Sequence, residues 1–475
     1  MTKKQDKPSK IYRFVIYPIV GVVFVTILLF VIVLANGYKF SYTNGLIKLQ
    51  KTGMIIVATK PQDSEILLDG VLKGHNAALS ILSMKVSGVL PGKHNLAIVK
   101  KDYQKWEKSI VVKPDLVTWL EYVLLFPAKI KSEPVKQLTD SQFISADKDN
   151  KALLFKKSTK DGMSYFIYDP ANGTKRNLWP PANMTLLDLP SNPEILSVEI
   201  SSNRNKVLVK YIESGKIDWF IEELVNNEPS SFVKISKYGF SYDELLWNPG
   251  NQNELIGLYQ QSLTRLTING QGQLEQVPLV SKVIDYDVAN DGNIYYIQEE
   301  KSNYVLDKMN LNGTNKVTID KAVQRSSKYK FALSKQRDIL ALLANDSGNL
   351  VAYQKTNGLT NSVNLGSNIK DMSWSKKGNK LVYYNEAKAH IYDWEKISDE
   401  EVPLLNKIDK LDWYYDEYHL WGRFEGNLAV IEFDGQNKVN VVSSAMNESL
   451  FNISSFIYST KTTGKDIFYQ SIISF

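Results

Sequence analysis

The stretch Asp371–Asn385, DMSWSKKGNKLVYYN, reads as two short strands around a polar turn. A short apolar strand ends at Trp374, Ser375-Lys376-Lys377-Gly378 supplies the turn, and Leu381, Tyr383 and Tyr384 carry the second strand. Trp374 and Leu381 lie seven residues apart, and like pairs recur at Ile200/Val207, Leu333/Leu340 and Trp413/Leu420. Looser versions stand at Ala146/Leu153, Trp247/Leu255, Val288/Ile294 and Tyr458/Ile467. The first anchors step forward by about 39–54 residues, averaging about 45. One unit of that length holds four strands, and its twisted sheet cannot bury both faces by itself; a ring of such units can.

The repeat predicts a mainly β chain whose region 130–475 is a β-propeller. Within the first copy the later strands are visible as Tyr165–Tyr168, the Asn172-Gly173 turn and Arg176–Trp179, and the fourth gives Tyr304–Met309 before Asn312-Gly313. Eight copies are counted, the eighth incomplete, with seven blades the alternative if one weak copy is a loop. Pro134–Thr139 precedes the first copy as an orphan outer strand, and it is expected to complete the last blade and close the ring. Trp374-Ser375-x-x-Gly378-x-x-Leu381-x-Tyr383 resembles the blade motif of the TolB and WD-repeat propeller superfamily. Trp247-Asn248-Pro249 keeps the Trp-x-Pro half of it and Asp291-Gly292 the turn, while the Trp-Asp dipeptide of WD repeats has no recurring counterpart.

The N-terminus has a different logic. Residues 1–13 are polar and basic, with Lys3, Lys4, Lys7, Lys10 and Arg13 against Asp6. Phe14–Ala35 then carries no charge, and about 22 residues make a helix of roughly 33 Å, enough to cross a bilayer. Phe14, Phe24, Phe30 and Ala35 mark this segment, and Pro18 and Gly21 near its start are tolerated in membrane helices. The basic flank predicts a cytoplasmic tail (1–13), a signal anchor (14–36) and an extracytoplasmic remainder. A cleaved signal peptide is the rival, because Val33-Leu34-Ala35 has small residues at suitable positions; the apolar run is longer than such regions usually are.

Between anchor and propeller, 37–53 reads as a hairpin-like stem with turn signals at Asn44-Gly45 and Thr52-Gly53. Residues 54–129 read as a small β-sandwich of short strands. This region resembles the PEGA domain family. The matching residues are Pro61, Ser64-x-Ile66-x-Leu68-Asp69-Gly70, Leu90-Pro91-Gly92-Lys93-His94 and Lys101-Asp102-Tyr103-x-x-Trp106. His94 stands for the family's aromatic and Asp102 for its glycine, and Leu79–Val86 looks like an insertion. The resemblance implies a non-enzymatic, surface-exposed sandwich of the kind joined to membrane anchors.

Composition narrows the chemistry. With Lys+Arg 57 against Asp+Glu 51, part of the excess lying in the tail, there is no nucleic-acid footprint. The absence of cysteine excludes disulfides, thiol catalysis and cysteine-ligated zinc, and fits a bacterial surface protein. His75, His94, His390 and His419 show no metal-ligand spacing. Asp285, Asp287 and Asp291-Gly292 are acidic enough for calcium, but the third acid is displaced and no closing Glu follows. Asp416/Glu417 and Glu222/Glu223 are adjacent carboxylates, read as solvated turn residues rather than a glycosidase pair. Ser302, Ser326 and Ser334 sit in no nucleophile elbow, and no phosphate-binding glycine loop exists, so no catalytic residue, cofactor, metal or nucleotide is expected.

The run Leu411–Phe424, LDWYYDEYHLWGRF, is the most distinctive local feature. Trp413 and Leu420 occupy anchor positions, leaving Tyr414, Tyr415, Asp416, Tyr418 and His419 in or beside the hairpin turn as candidate ligand-binding residues, with packing against the next blade as the alternative. The expected role is a membrane-anchored binding or scaffold protein of the bacterial envelope, recognising protein or cell-wall polysaccharide. A glycan hydrolase or lyase, and a sensor or assembly factor working with a membrane partner, are the rivals.

Overall fold

The computed structural model describes residues 12–43, 46–75, 83–148, 152–160, 162–180, 193–225, 228–239, 241–269, 273–334, 338–356, 359–403, 406–442, 448–453, 456–462 and 466–472. Two compact units divide the chain, Met1–Lys129 and Ile130–Ser474.

In the first unit a π-helical turn, Tyr12–Ile16, leads into α1, Tyr17–Ala35. Phe14–Ala35 is long and apolar enough to cross a membrane, and none of it is buried. Asn36 ends α1 by donating its side-chain amide to the Ile32 carbonyl at 2.8 Å, and Gly37 turns the chain at φ +82°. Strands β1 (Tyr38–Thr43) and β2 (Leu46–Lys51) form the stem hairpin, whose expected Asn44-Gly45 turn lies outside the described residues. Thr52-Gly53 is not a turn: Thr52 donates backbone and hydroxyl hydrogens to the Gly37 carbonyl, and Gly53 already starts the next strand.

The sandwich pairs a three-stranded sheet, built on β3 (Gly53–Lys60), with a four-stranded one containing Glu65–Leu68, Gly92–Val99 and Trp106–Val112. Period-two burial along Trp106–Val112 puts Trp106, Ile110 and Val112 into a core with Ile55, Ile66 and Leu96. The end of the insertion-like segment is itself a strand, Met84–Val89, paired with β3. Both departures from the family pattern have a local cause. Asp102 adopts φ +66°, a conformation that glycine takes freely and aspartate tolerates. His94 places Nδ1 2.7 Å from Asp69 Oδ2 and Nε2 2.7 Å from the Leu90 carbonyl, tying two turns together.

The second unit carries eight four-stranded antiparallel sheets among the described residues. Seven follow in chain order, beginning with the first strands Gln142–Ala146, Glu194–Ile200, Glu244–Asn248, Val283–Val288, Tyr329–Leu333, Asp371–Trp374 and Ile408–Trp413. Their anchor pairs face each other across the first hairpin of each sheet: Ala146 with Leu153, Ile200 with Val207, Trp247 with Leu255, Val288 with Ile294, Leu333 with Leu340, Trp374 with Leu381, and Trp413 with Leu420.

The eighth pair is displaced by one strand. Tyr458 faces Phe451 of Glu448–Ile453, and Gln470 on its other side, so Tyr458/Ile467 is not an anchor pair. The first-hairpin partners Phe451 and Tyr458 are seven residues apart, whereas Tyr458 and Ile467 are nine apart and lie on the second hairpin, one strand late. The ring closes as expected, with a shifted strand: Lys131–Pro134 pairs antiparallel with Asp466–Ile472, while Lys136–Leu138 is a 3-10 turn.

Consecutive sheets bury their faces against each other. Trp179, Val198 and Phe220 share one core between the first two sheets, and Tyr384, Trp413 and Ile431 another between the sixth and seventh. Each large side chain so buried contributes up to about 1.5–3 kcal/mol. Three anchor indoles clasp neighbouring sheets: Trp247 Nε1 donates to Glu199 O at 3.1 Å, Trp374 to Ala332 O at 2.8 Å, and Trp413 to Ser373 O at 3.1 Å. Each acceptor immediately precedes the anchor of the sheet before it. Trp374 is therefore a clasp between sheets, and Gly378 (φ +66°) shapes the turn beside it.

Candidate functional site

Alternation along the first strands separates two sets of side chains. The anchor and the residue two before it enter the cores between sheets, as Leu245 and Trp247, Tyr286 and Val288, or Leu411 and Trp413 do. The intervening positions are mostly polar: Ser197 and Glu199, Glu244, Asp285 and Asp287, Lys330, Asp371 and Ser373, Lys410 and Asp412. Leu246 and Ala332 are apolar exceptions.

These polar groups meet in the middle of the ring. Lys148, in the first sheet's turn, donates to both carboxylate oxygens of Asp287 on the fourth sheet, at 2.5 and 2.8 Å. Those sheets are not neighbours in the chain order, so this pair crosses the central channel. Lys328 reaches Glu244 at 2.6 Å and Asp285 at 3.2 Å, linking the fifth sheet's approach to the third and fourth. The Tyr329 N–H donates to Asp285 at 2.6 Å. On the far side Lys330 pairs with Asp371, and the Ser373 hydroxyl donates to Asp412 at 2.6 Å.

Six carboxylates share this channel with four lysines. Burial pushes Glu199 up to about 7; Lys148 opposes the shift, while Asp147, Asp287 and Glu244 add to it. Burial likewise raises Asp285, Asp287 and Asp412 against the lysines, hydroxyl and N–H groups that face them. Lys410 is lowered by burial, whereas Lys328 is raised because Glu244 and Asp285 outweigh its burial. Glu199 is therefore placed to exchange a proton near neutral pH, and the channel offers both charge signs at short range.

Asp285 and Asp287 thus belong to a strand rather than a calcium loop. Asp291 turns elsewhere, accepting from the Asn293 N–H and the Tyr295 hydroxyl at 2.9 Å each. The described residues contain no cluster of His, Asp or Glu able to hold a metal.

The five aromatic-run residues are brought together at the turn joining the first two strands of the seventh sheet. Like the turn bearing Lys148, it joins a first strand to a second, so both lie at the same end of the channel. Tyr414 and His419 are buried, 2% exposed each. Tyr415, Asp416 and Tyr418 remain half-buried, with the Tyr414 and Tyr415 rings 4.6 Å apart. Asp416 accepts from the N–H groups of Tyr418 and His419 and lies 2.7 Å from His419 Nδ1; despite burial, these bonds hold it below its ordinary value. Lys380 sits 5.1 Å from the Tyr418 ring centroid.

The adjacent carboxylates are not solvated. Glu417 is 6% exposed and accepts from the Lys377 N–H at 2.5 Å. Glu222 is fully buried within the strand Lys216–Val225, neither oxygen has a hydrogen-bond partner among the described residues, and burial pushes it up to about 9. For Glu222 a buried interior strand position, not a turn, explains the difference, whereas Glu417 does lie in a turn and is covered there.

Residues 52–125 match the PEGA domain, which fits the sandwich. No curated protein matches the chain. Among solved structures, the Dos1 propeller is similar with a TM-score of 0.46 and 11% identity, over 72% of this chain and 94% of that one. Kluyveromyces lactis Hsv2 gives 0.40 and 10%, over 70% and 98%. An oligogalacturonate lyase from Vibrio parahaemolyticus gives 0.39 and 11%, over 73% and 94%.

Proposed function

We propose that this is a single-span membrane protein, N-terminus in the cytoplasm, that displays a PEGA sandwich and a propeller outside a bacterial cell. Each four-stranded sheet is read as one blade, giving eight. Its role is binding or scaffolding in the envelope, without catalysis, and the channel end beside Tyr414–His419 recognises protein or cell-wall polysaccharide. The observation that carries this reading is the convergence of ion-paired side chains from several sheets, above all the Lys148–Asp287 pair across the channel. Carboxylates, ammonium groups and half-buried tyrosines together suit hydroxyl-rich or peptide ligands. The test is a titration of the full chain in nanodiscs with purified cell-wall polymers and envelope proteins. Saturable binding weakened by Asp287→Asn and by Tyr415→Ala supports the reading; binding indifferent to both overturns the site.

A second reading, a glycan hydrolase or lyase, is favoured by one observation. Glu199 is poised near neutral beside Asp287 and Glu244, as a general acid needs to be. Release of new sugar ends from a cell-wall polymer, abolished by Glu199→Gln, would establish it in place of simple binding.

A further inference from the structure

The stem hairpin has two unlike faces. Register places Phe40 opposite Leu49 and Tyr42 opposite Ile47 on one side, with Ser41 opposite Lys48 and Lys39 opposite Gln50 on the other. Phe40, Tyr42, Ile47 and Leu49 are 53%, 78%, 72% and 46% exposed, so a stripe of large apolar side chains is left open on a two-stranded ribbon. Unlike scattered surface apolars, four neighbouring ones on one face need an occupant.

Three observations identify it. Phe40 stacks on Phe30 of α1, ring centroids 5.9 Å apart and planes 16° apart. Phe30 stands five residues before Ala35, roughly 7–8 Å along the helix from its end, so the apolar face continues the surface of α1 instead of standing clear of it. The polar face turns toward the sandwich, where the Lys39 side chain lies over Gly88, while at the base of the apolar face Lys51 pairs with Asp115. The hairpin base is held against the end of α1 by the two Thr52–Gly37 hydrogen bonds, so the stripe cannot swing freely away from it.

We infer that the Tyr38–Lys51 hairpin is a membrane-interface element, its Phe40, Tyr42, Ile47 and Leu49 face seated in the outer lipid leaflet beside α1. This rests on the reading of α1 as a retained membrane anchor. The open edges of a two-stranded ribbon need water or headgroup partners, which places it at the boundary of the hydrocarbon rather than at its centre. Tyr42, with an apolar ring and a polar tip, suits that layer. The seated hairpin holds the sandwich at a fixed distance from the lipid, where a bare linker would let it wander.

The chain has no cysteine, so single-cysteine spin labels report individual positions. The full chain is reconstituted in nanodiscs of phosphatidylcholine and phosphatidylglycerol with labels at Phe24→Cys, Tyr42→Cys, Ile47→Cys and Lys48→Cys. Collisions with lipid-soluble oxygen are compared with those of a water-soluble nickel chelate. Expected is oxygen preference at positions 24, 42 and 47 and its reversal at 48. Nickel preference at 42 and 47 with oxygen preference at 24 overturns the hairpin proposal and leaves the anchor standing. Nickel preference at 24 sinks the anchor reading itself. Low access of both reagents at 42 and 47 means a protein partner or second copy covers the face, and also overturns the proposal.

Discussion

Glu222 should be a costly buried carboxylate in the second unit, and replacing it should make the protein more stable. It is 0% exposed, lacks hydrogen-bond partners on both oxygens among the described residues, and is pushed up to about 9 by burial, from a starting value of 4.5. At pH 7 the unfolded chain carries this group ionised and the folded chain carries it protonated. Folding must then take up a proton, at about 1.4 kcal/mol for each pH unit above 4.5, or about 3 kcal/mol at neutrality. The sign follows from the raised folded value: stability is greatest below pH 4.5 and declines as pH rises toward about 9. As long as the folded value stays well above 7, its size hardly alters the cost at pH 7. Glu222→Gln keeps the shape and removes the proton requirement, so it should stabilise by about 2–3 kcal/mol at pH 7 and by little at pH 4, an unsatisfied buried amide remaining in both cases. Urea unfolding of the full chain in detergent at pH 4, 5.5, 7 and 8.5 measures it. A difference that does not grow with pH, or a destabilised variant at pH 8.5, would refute the reasoning.

Lys328→Met strips the cation from between Glu244 and Asp285; since the lysine is half exposed, the loss is about 1–2 kcal/mol, and it should shrink when Asp285→Asn is added in a double-mutant cycle. Trp413→Phe deletes the indole clasp onto Ser373 and should cost at least about 1 kcal/mol in urea unfolding, whereas Trp421→Phe, whose indole makes no such clasp among the described residues, controls for ring size. His94 is raised by Asp69 and the Leu90 carbonyl despite its burial, so its contribution is full below about pH 6.5 and disappears as pH rises through the raised value. Asp69 is lowered, so its contribution fades instead as pH falls below its ordinary 3.8. With Asp69 half exposed the pair is worth about 0.5 kcal/mol, and His94→Phe should flatten the upper limb of a thermal-stability profile.

Much of the fold was legible because the signal was geometric. Seven of eight anchor pairs fall on cross-strand partners, since a first hairpin with a short turn fixes the spacing whatever the side chains are. The eighth went astray because Tyr458 was joined to Ile467, nine residues on across the second hairpin, although its seven-residue partner is Phe451 on the strand before. The closing strand was placed a few residues late, because Pro134 joins strand to turn and the apolar Val135 and Leu138 that follow are buried from a 3-10 turn rather than a strand. Spacing carries topology well; it says little about which of two adjacent segments is extended.

The channel was less legible, although its residues were in plain view. An apolar anchor on an inner strand implies that the residue before it points the other way, and in these sheets that other way is the channel. Applied to every copy, that inversion collects Glu199, Asp287, Ser373 and Asp412 from four sheets, residues that lie far apart in the chain and carry no motif. Taken singly each is an ordinary strand acid, and Asp285 with Asp287 even mimics the start of a calcium loop. Only ring closure makes them neighbours, and only burial gives them shifted protonation. The aromatic run announced itself by composition, yet two of its five candidates, Tyr414 and His419, are buried where they fold. In a repeat protein the site is better sought in what the repeats turn inward together than in the copy that looks most unusual.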